Sequence, residues 1–180
     1  MSKLKIISAG LLNYFWNNVF THIPVHFIRK GFLRLFNRKI SSSSVILLHT
    51  RILNFWSLEI GERSVVNQYA LLDCRKFKVI IREDVDIGPY AKIWTLGHDP
   101  DSETHQVEGG NVIIEDHVWI ASNVTVLPKL TLGRGSVVAA SSLVIKDIPS
   151  LEVWGGVPAR YIRRRNNPLK YKLSYTPYFD

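Results

Sequence analysis

The chain has 180 residues, 46% of them apolar and 21% charged, a balance that excludes a wholly disordered or fibrous protein. Its formal charge of +8 is unevenly placed: residues 1–58 carry eight basic residues and no carboxylate, the first acid being Glu59, while residues 59–180 carry 15 of each sign. A single cysteine, Cys74, excludes an intramolecular disulfide framework and fits a reducing compartment, and no apolar run approaches the ~20 residues of a membrane span.

Residues 1–44 form a basic, aromatic, helical segment. Lys3 and Lys5 ahead of Ile6–Leu12 faintly resemble a signal peptide, but no small-residue cleavage site follows. Pro24 marks a helix start, which predicts one helix before it and one after. Val25, Ile28, Phe32, Leu35 and Phe36 fall at helical spacing, with Arg29, Lys30 and Arg34 on the other side. Ile40 and four serines then read as a connector.

Residues 45–150 carry a six-residue period. Ile114, Ile120, Val126, Leu132, Val138 and Val144 mark six consecutive steps. Ile81, Ile87 and Ile93 mark three more, as do Ile60, Val66 and Leu72, with Ile46 and Ile52 beginning the series in another phase. A small or aliphatic residue precedes most markers by two positions: Ser64, Ala70, Val85, Ala91, Val118, Val124, Leu130, Ser136 and Ser142. In a helix, six residues advance ~600° and scatter the markers over three faces. In extended chain, an even spacing keeps them on one face. One strand of this length is excluded, because strands run ~3–10 residues, and Pro128 and Gly133-Arg134-Gly135 would break it. Many short strands with a corner every six residues satisfy the pattern, which is a parallel β-solenoid.

The period is interrupted twice. About three extra residues intrude between Leu72 and Ile81. A polar insertion, residues 96–112, holds Gly97-His98-Asp99-Pro100, and a loop ejected from a regular scaffold is where function concentrates. Residues 151–180 form a C-terminal tail rich in arginine and lysine.

These hexads, the Thr-Leu-Gly-His-Asp-Pro loop, Val118-Trp119-Ile120, Val144-Ile145-Lys146-Asp147-Ile148-Pro149 and Gly155-Gly156-Val157-Pro158-Ala159-Arg160 resemble the hexapeptide-repeat acetyltransferases, over roughly residues 45–165. Within them, the chain is most similar to the sugar and polysaccharide O-acetyltransferases of the maltose/galactoside acetyltransferase-like group. The resemblance implies a mainly β protein, a left-handed parallel β-helix with N-terminal α-helices and a short C-terminal tail. It further implies a homotrimer, acetyl-CoA as donor and a saccharide hydroxyl as acceptor. A cytoplasmic location, no metal and no nucleic-acid partner are expected beside it.

Site residues follow from the same resemblance. His98 matches the catalytic base, a role suited to imidazole because a poorly acidic hydroxyl must lose its proton as it attacks. His105 shares the loop and is its nearest competitor. Glu108 is the carboxylate expected to orient the imidazolium. Asn67, Asp73 and Asp99 are expected near the acceptor. Ser122 and Ala140 match positions beside the pantetheine arm, and Trp119 is expected either to wall the groove or to pack, for example between subunits. Lys146, Arg160 and Arg163 match the cations that would meet the CoA phosphates. A catalytic Cys74 thiol is the weaker alternative, since direct attack needs no acyl-enzyme.

Other readings stay open at this point: N-acetylation of an amino sugar, a zinc enzyme using His98, His105 and His117, or a non-catalytic scaffold binding a membrane or nucleic acid. Residues 1–39 either cap the solenoid's open edge or touch the inner face of a membrane.

Overall fold

The computed structural model describes residues 3–180, with side chains from Ile7 onward. Met1 and Ser2 of the N-terminal segment, and the side chains of Lys3 and Lys5, lie outside the described residues. From residue 40 to residue 156 the chain winds as a three-sided coil. Its first face stacks Val45–Ile46, Val65–Val66, Asp86–Ile87, Trp119–Ile120, Val137–Val138 and Glu152–Gly156 in parallel. The second stacks Arg51–Ile52, Leu71–Leu72, Lys92–Ile93, Thr125–Val126 and Leu143–Val144. The third stacks Leu58–Ile60, Val79–Ile81, Val112–Ile114 and Thr131–Leu132.

Where no insertion intervenes, Trp119 pairs with Val137 and Thr125 with Leu143, so one turn takes 18 residues, three hexads. Every hexad marker from Ile46 to Val144 is buried, and so is each residue named two positions before one. Each such aliphatic side chain contributes about 2 kcal/mol of burial. The corners bring a backbone cost. His49, Tyr69, Tyr90, Asn123 and Ser141 line up along the corner between the first and second faces, all with φ near +60°. Non-glycine residues rarely adopt that conformation. Here stacking holds it: the rings of His49, Tyr69 and Tyr90 sit 4.8 and 4.9 Å apart in a ladder.

Helix α1 (Lys3–Asn18) and helix α2 (His26–Phe36) cap the first coil. Trp16, Phe20, Phe32 and Leu33 pack on the solenoid core. Polar side chains satisfy the backbone of the open edge, which would otherwise be unpaired. Asn17 donates to the carbonyl of Ile52 and accepts from its N–H, at 2.8 and 3.0 Å. Asn37 donates to the carbonyls of Phe55 and Leu58, and His26 Nε2 accepts from the N–H of Ile46.

The expected facing of α2 is reversed in part. Arg29 is fully buried, whereas Ile28 and Leu35 face outward. The guanidinium turns inward because acceptors wait there, the carbonyls of Ile23 and Ile46 and the backbone oxygen of Asp180. A buried cation needs such partners.

After a hairpin of Glu152–Gly156 with Ala159–Arg164, the tail runs back along the corner between the third and first faces. Leu169 packs where Gly135, at φ +69°, has no side chain; a Cβ there would lie 2.5 Å from a Leu169 methyl. Arg165 donates to the carbonyls of His117 and Gly135. The N–H of Leu173 donates to Asp84, and Phe179 bridges to Val25 beside α2.

Candidate active site

The polar insertion forms an antiparallel hairpin, Leu96–His98 with Val107–Gly109, thrown out from the corner between the second and third faces. Gly109 permits its close seating, because a Cβ there would lie 2.2 Å from the carbonyl oxygen of Thr95. Beneath the hairpin, successive coils place Trp94, then Leu127, Pro128 and Lys129, then Ile145. With Leu96, His98 and Glu108 they line a cleft of about 510 Å³.

His98 is exposed. Its Nδ1 lies 2.9 Å from the carbonyl oxygen of His105, and the two imidazoles stack with centroids 3.8 Å apart. An Nδ1–H donated to that carbonyl leaves Nε2 as the free, basic nitrogen. The Asp99 carboxylate folds back on its own turn, accepting from the N–H of Asp101 at 3.0 Å.

Glu108 does not reach the imidazole. Val107 is directly opposite His98 and Glu108 opposite Gly97, so strand alternation turns the Glu108 side chain away from the imidazole although both residues border the cleft. Its carboxylate is ion-paired with Lys129. The contact made by the imidazole Nδ1 is with a main-chain carbonyl, that of His105. The cleft residues Trp94, Leu127, Lys129 and Ile145 escaped the sequence reading, although hexad phase marks them: they follow the markers Ile93, Val126 and Val144 at the corner from which the insertion departs.

The expected acceptor residues are dispersed. Asn67 lies past the first face, donating to Asp86 and to the carbonyl of Ile87, both at 2.9 Å. Burial holds the Asp86 carboxyl above its usual range, against the pull of that hydrogen bond. Asp73 is fully buried on the hairpin's corner and paired with Arg75 at 2.8 Å, while its carbonyl accepts from Thr95. Neither lines the His98 cleft. The neighbouring Cys74 thiol is pushed up to about 12 by burial, which removes it as a nucleophile. His117 lies on the tail-covered corner, away from His98 and His105.

Of the residues expected to meet the donor, Ser122 and Ala140 stack on adjacent coils at the corner between the first and second faces, and both are exposed. Trp119 is exposed on the first face. Lys146 lies with its Nζ 4.9 Å from the centroid of the Trp154 ring. Arg160 and Arg163 project from the C-terminal hairpin, their guanidinium groups bonded only to main-chain carbonyls. Among the described residues, none of these three cations pairs with a carboxylate, so all three are free to meet phosphate.

No family model matches the chain. It is 33% identical over 141 residues to a protein of Escherichia coli named a colanic acid biosynthesis acetyltransferase, WcaF, covering 76% of this chain and 75% of that one. It is 33% identical over 118 residues to the galactoside O-acetyltransferase of the same organism, covering 64% of this chain and 58% of that protein. An acetyltransferase of Saccharomyces cerevisiae is 41% identical over 91 residues; the match takes in 48% of this chain and 46% of the yeast protein, so the chain spans only about half of that relative. Among solved structures, a hexapeptide-repeat acetyltransferase from Vibrio cholerae, complexed with acetyl-CoA, superposes with a TM-score of 0.79 at 25% identity, covering 92% of each chain. The coil, the ejected hairpin and these matches together define an acetyltransferase. The chain belongs to the hexapeptide-repeat acetyltransferases.

Proposed function

We propose that the protein transfers an acetyl group from acetyl-CoA to a hydroxyl of a saccharide or polysaccharide precursor, with His98 as general base. The observation that carries this reading is the His98 imidazole at the mouth of the cleft, its Nδ1 against the His105 carbonyl and its Nε2 free. Bound acetyl-CoA supplies an activated acetyl group; Lys146, Arg160 and Arg163 would hold its phosphates, and the small Ser122 and Ala140 would leave room for its arm. His98 Nε2 takes the proton from the attacking hydroxyl as the new ester bond forms. It then returns that proton to the sulfur as the thioester bond breaks. Positioning in the cleft supplies much of the remaining acceleration.

The assembly is a homotrimer of left-handed coils. Two observations support the trimer: His98 and the pair Ser122/Ala140 sit on different corners of one chain, and Asn67 and Asp73 do not line the His98 cleft. A three-fold ring with one repeated contact brings one chain's hairpin to its neighbour's donor corner. The lone, buried Cys74 requires no oxidising environment, which supports a cytoplasmic location.

The test is a transfer screen. Purified protein is incubated with acetyl-CoA and a panel of free sugars, nucleotide sugars and polysaccharide repeat units, and thiol release is followed. Ester formation on a sugar hydroxyl is expected. Amide formation on an amino sugar alone would replace the acceptor, and absence of acetyl-CoA binding by calorimetry would overturn the whole reading.

A further inference from the structure

A helix that caps a soluble solenoid normally turns its polar side to water. Both capping helices here pack Trp16, Phe32 and Leu33 against the core yet also turn large apolar side chains outward. Along α1, Ile7, Leu11 and Tyr14 recur at helical spacing and are 60%, 54% and 60% exposed. Along α2, Phe27 and Leu35 are 72% and 68% exposed, while the polar His26 and Arg29 are turned inward. The chain's other end joins the same surface. Phe179 bridges to Val25, and it and Tyr178 are 79% and 74% exposed.

The charge around this apolar surface is predominantly positive. No acid precedes Glu59. Lys30 and Arg34 are bonded to the main-chain carbonyls of Ser42, Ser44 and Ile40, so their charges are not cancelled by carboxylates. Arg38 is exposed. The acid nearest the patch, Asp180, is already engaged by Gln68 and Tyr175. No helix among the described residues is long and apolar enough to cross a membrane.

We propose that this capped end is a membrane-docking surface, whose occupant is an anionic lipid bilayer. Aliphatic and aromatic side chains with surrounding cations are what an interfacial anchor requires, the apolar groups entering the headgroup boundary and the cations meeting anionic lipid. The inward-facing polar residues cap the coil, and the outward apolar ones remain for the bilayer. The inference does not rest on acetyl transfer.

The experiment is co-sedimentation of the full chain with phosphatidylcholine vesicles containing about one third phosphatidylglycerol, beside pure phosphatidylcholine vesicles. A variant carrying Leu11→Ser, Phe27→Ser and Leu35→Ser is run in parallel. These side chains are exposed, so the variant is expected to keep its melting temperature. Binding to the anionic vesicles, weakened at high salt and reduced about ten-fold or more in the variant, is the expected result. Two outcomes overturn the proposal: a folded native chain that stays in the supernatant, or light scattering that shows this surface joining two copies end to end, with the variant restoring the smaller species. Vesicle binding without acetyl transfer would leave this inference standing and overturn only the catalytic reading.

Discussion

The imidazole of His98 and the backbone of His105 are locked together: Nδ1 of the first lies 2.9 Å from the carbonyl oxygen of the second, and their rings stack at 3.8 Å. The contact fixes both tautomer and ring plane without an acidic side chain. Replacing His98 with alanine is therefore expected to lower kcat by ~10²–10⁴ while leaving acetyl-CoA affinity by calorimetry unchanged. Native turnover in the folded variant would remove His98 from the chemistry.

Glu108 supplies the contrast. Because it faces Lys129 across an exposed ion pair, Glu108→Gln is expected to change stability by less than about 1 kcal/mol. Its kcat should stay within roughly three-fold of native. A carboxylate that oriented the base would cost far more, so a loss of ~10² or beyond would restore the triad-like assignment.

Gly109 tests the seating of the hairpin. An added methyl meets the Thr95 carbonyl, so Gly109→Ala must lift the hairpin from its corner. The solenoid core lies below and should melt nearly as before. A displacement near 1 Å is enough to cost ~10² in kcat. Unchanged kinetics in this variant would mean that the hairpin's position is irrelevant to turnover.

The proposed sharing of the site between protomers is tested by a mixing experiment. His98→Ala and Arg163→Ala each damage one side of every site in a homotrimer. In mixed trimers, some interfaces combine two intact sides. Co-refolding the two inactive variants is expected to regain measurable turnover, and failure to do so, with exchange verified by mass, would place each complete site within one chain.

His26 gives the acid limb of stability a cause. Its pKa is lowered to about 4, first by burial and then by Lys30 and Arg29, with Asp180 opposing. Above the ordinary value of 6.5 the buried neutral ring incurs no protonation penalty. As pH falls from about 6.5 towards 4, the unfolded chain gains a proton that the folded chain refuses, and stability drops by up to about 3 kcal/mol. His26→Gln keeps an acceptor for the Ile46 N–H and should flatten this limb. Melting curves at pH 7 and pH 5 that fall in parallel for both proteins would exclude His26 as the source.

The solenoid was legible in the sequence because its rule is local. One inward side chain every six residues, from Ile114 to Val144, suffices to exclude a helix and to require corners. The ejected loop was legible as a break in that rule. The partner of Glu108 was not, because it depends on hairpin register, and one step of register moves a side chain to the opposite face. The facing of α2 was misread for a related reason. Helical spacing alone suggested that Ile28 and Leu35 turn inward, but the decisive acceptors for Arg29 come from the distant Ile46 and Asp180. The tail from residue 165 to residue 180 has no period at all, and its course is set by single contacts such as Leu169 on Gly135.

That tail alters how the molecule comes apart. A stack in which each turn touches only its neighbours melts from its ends, one layer at a time. Here the polypeptide leaves the last layer and fastens itself to the first, where Arg29 grips Asp180. Loosening either extremity therefore strips contacts from both, and an otherwise linear array is bound into a ring of mutual support that should yield in a single concerted transition.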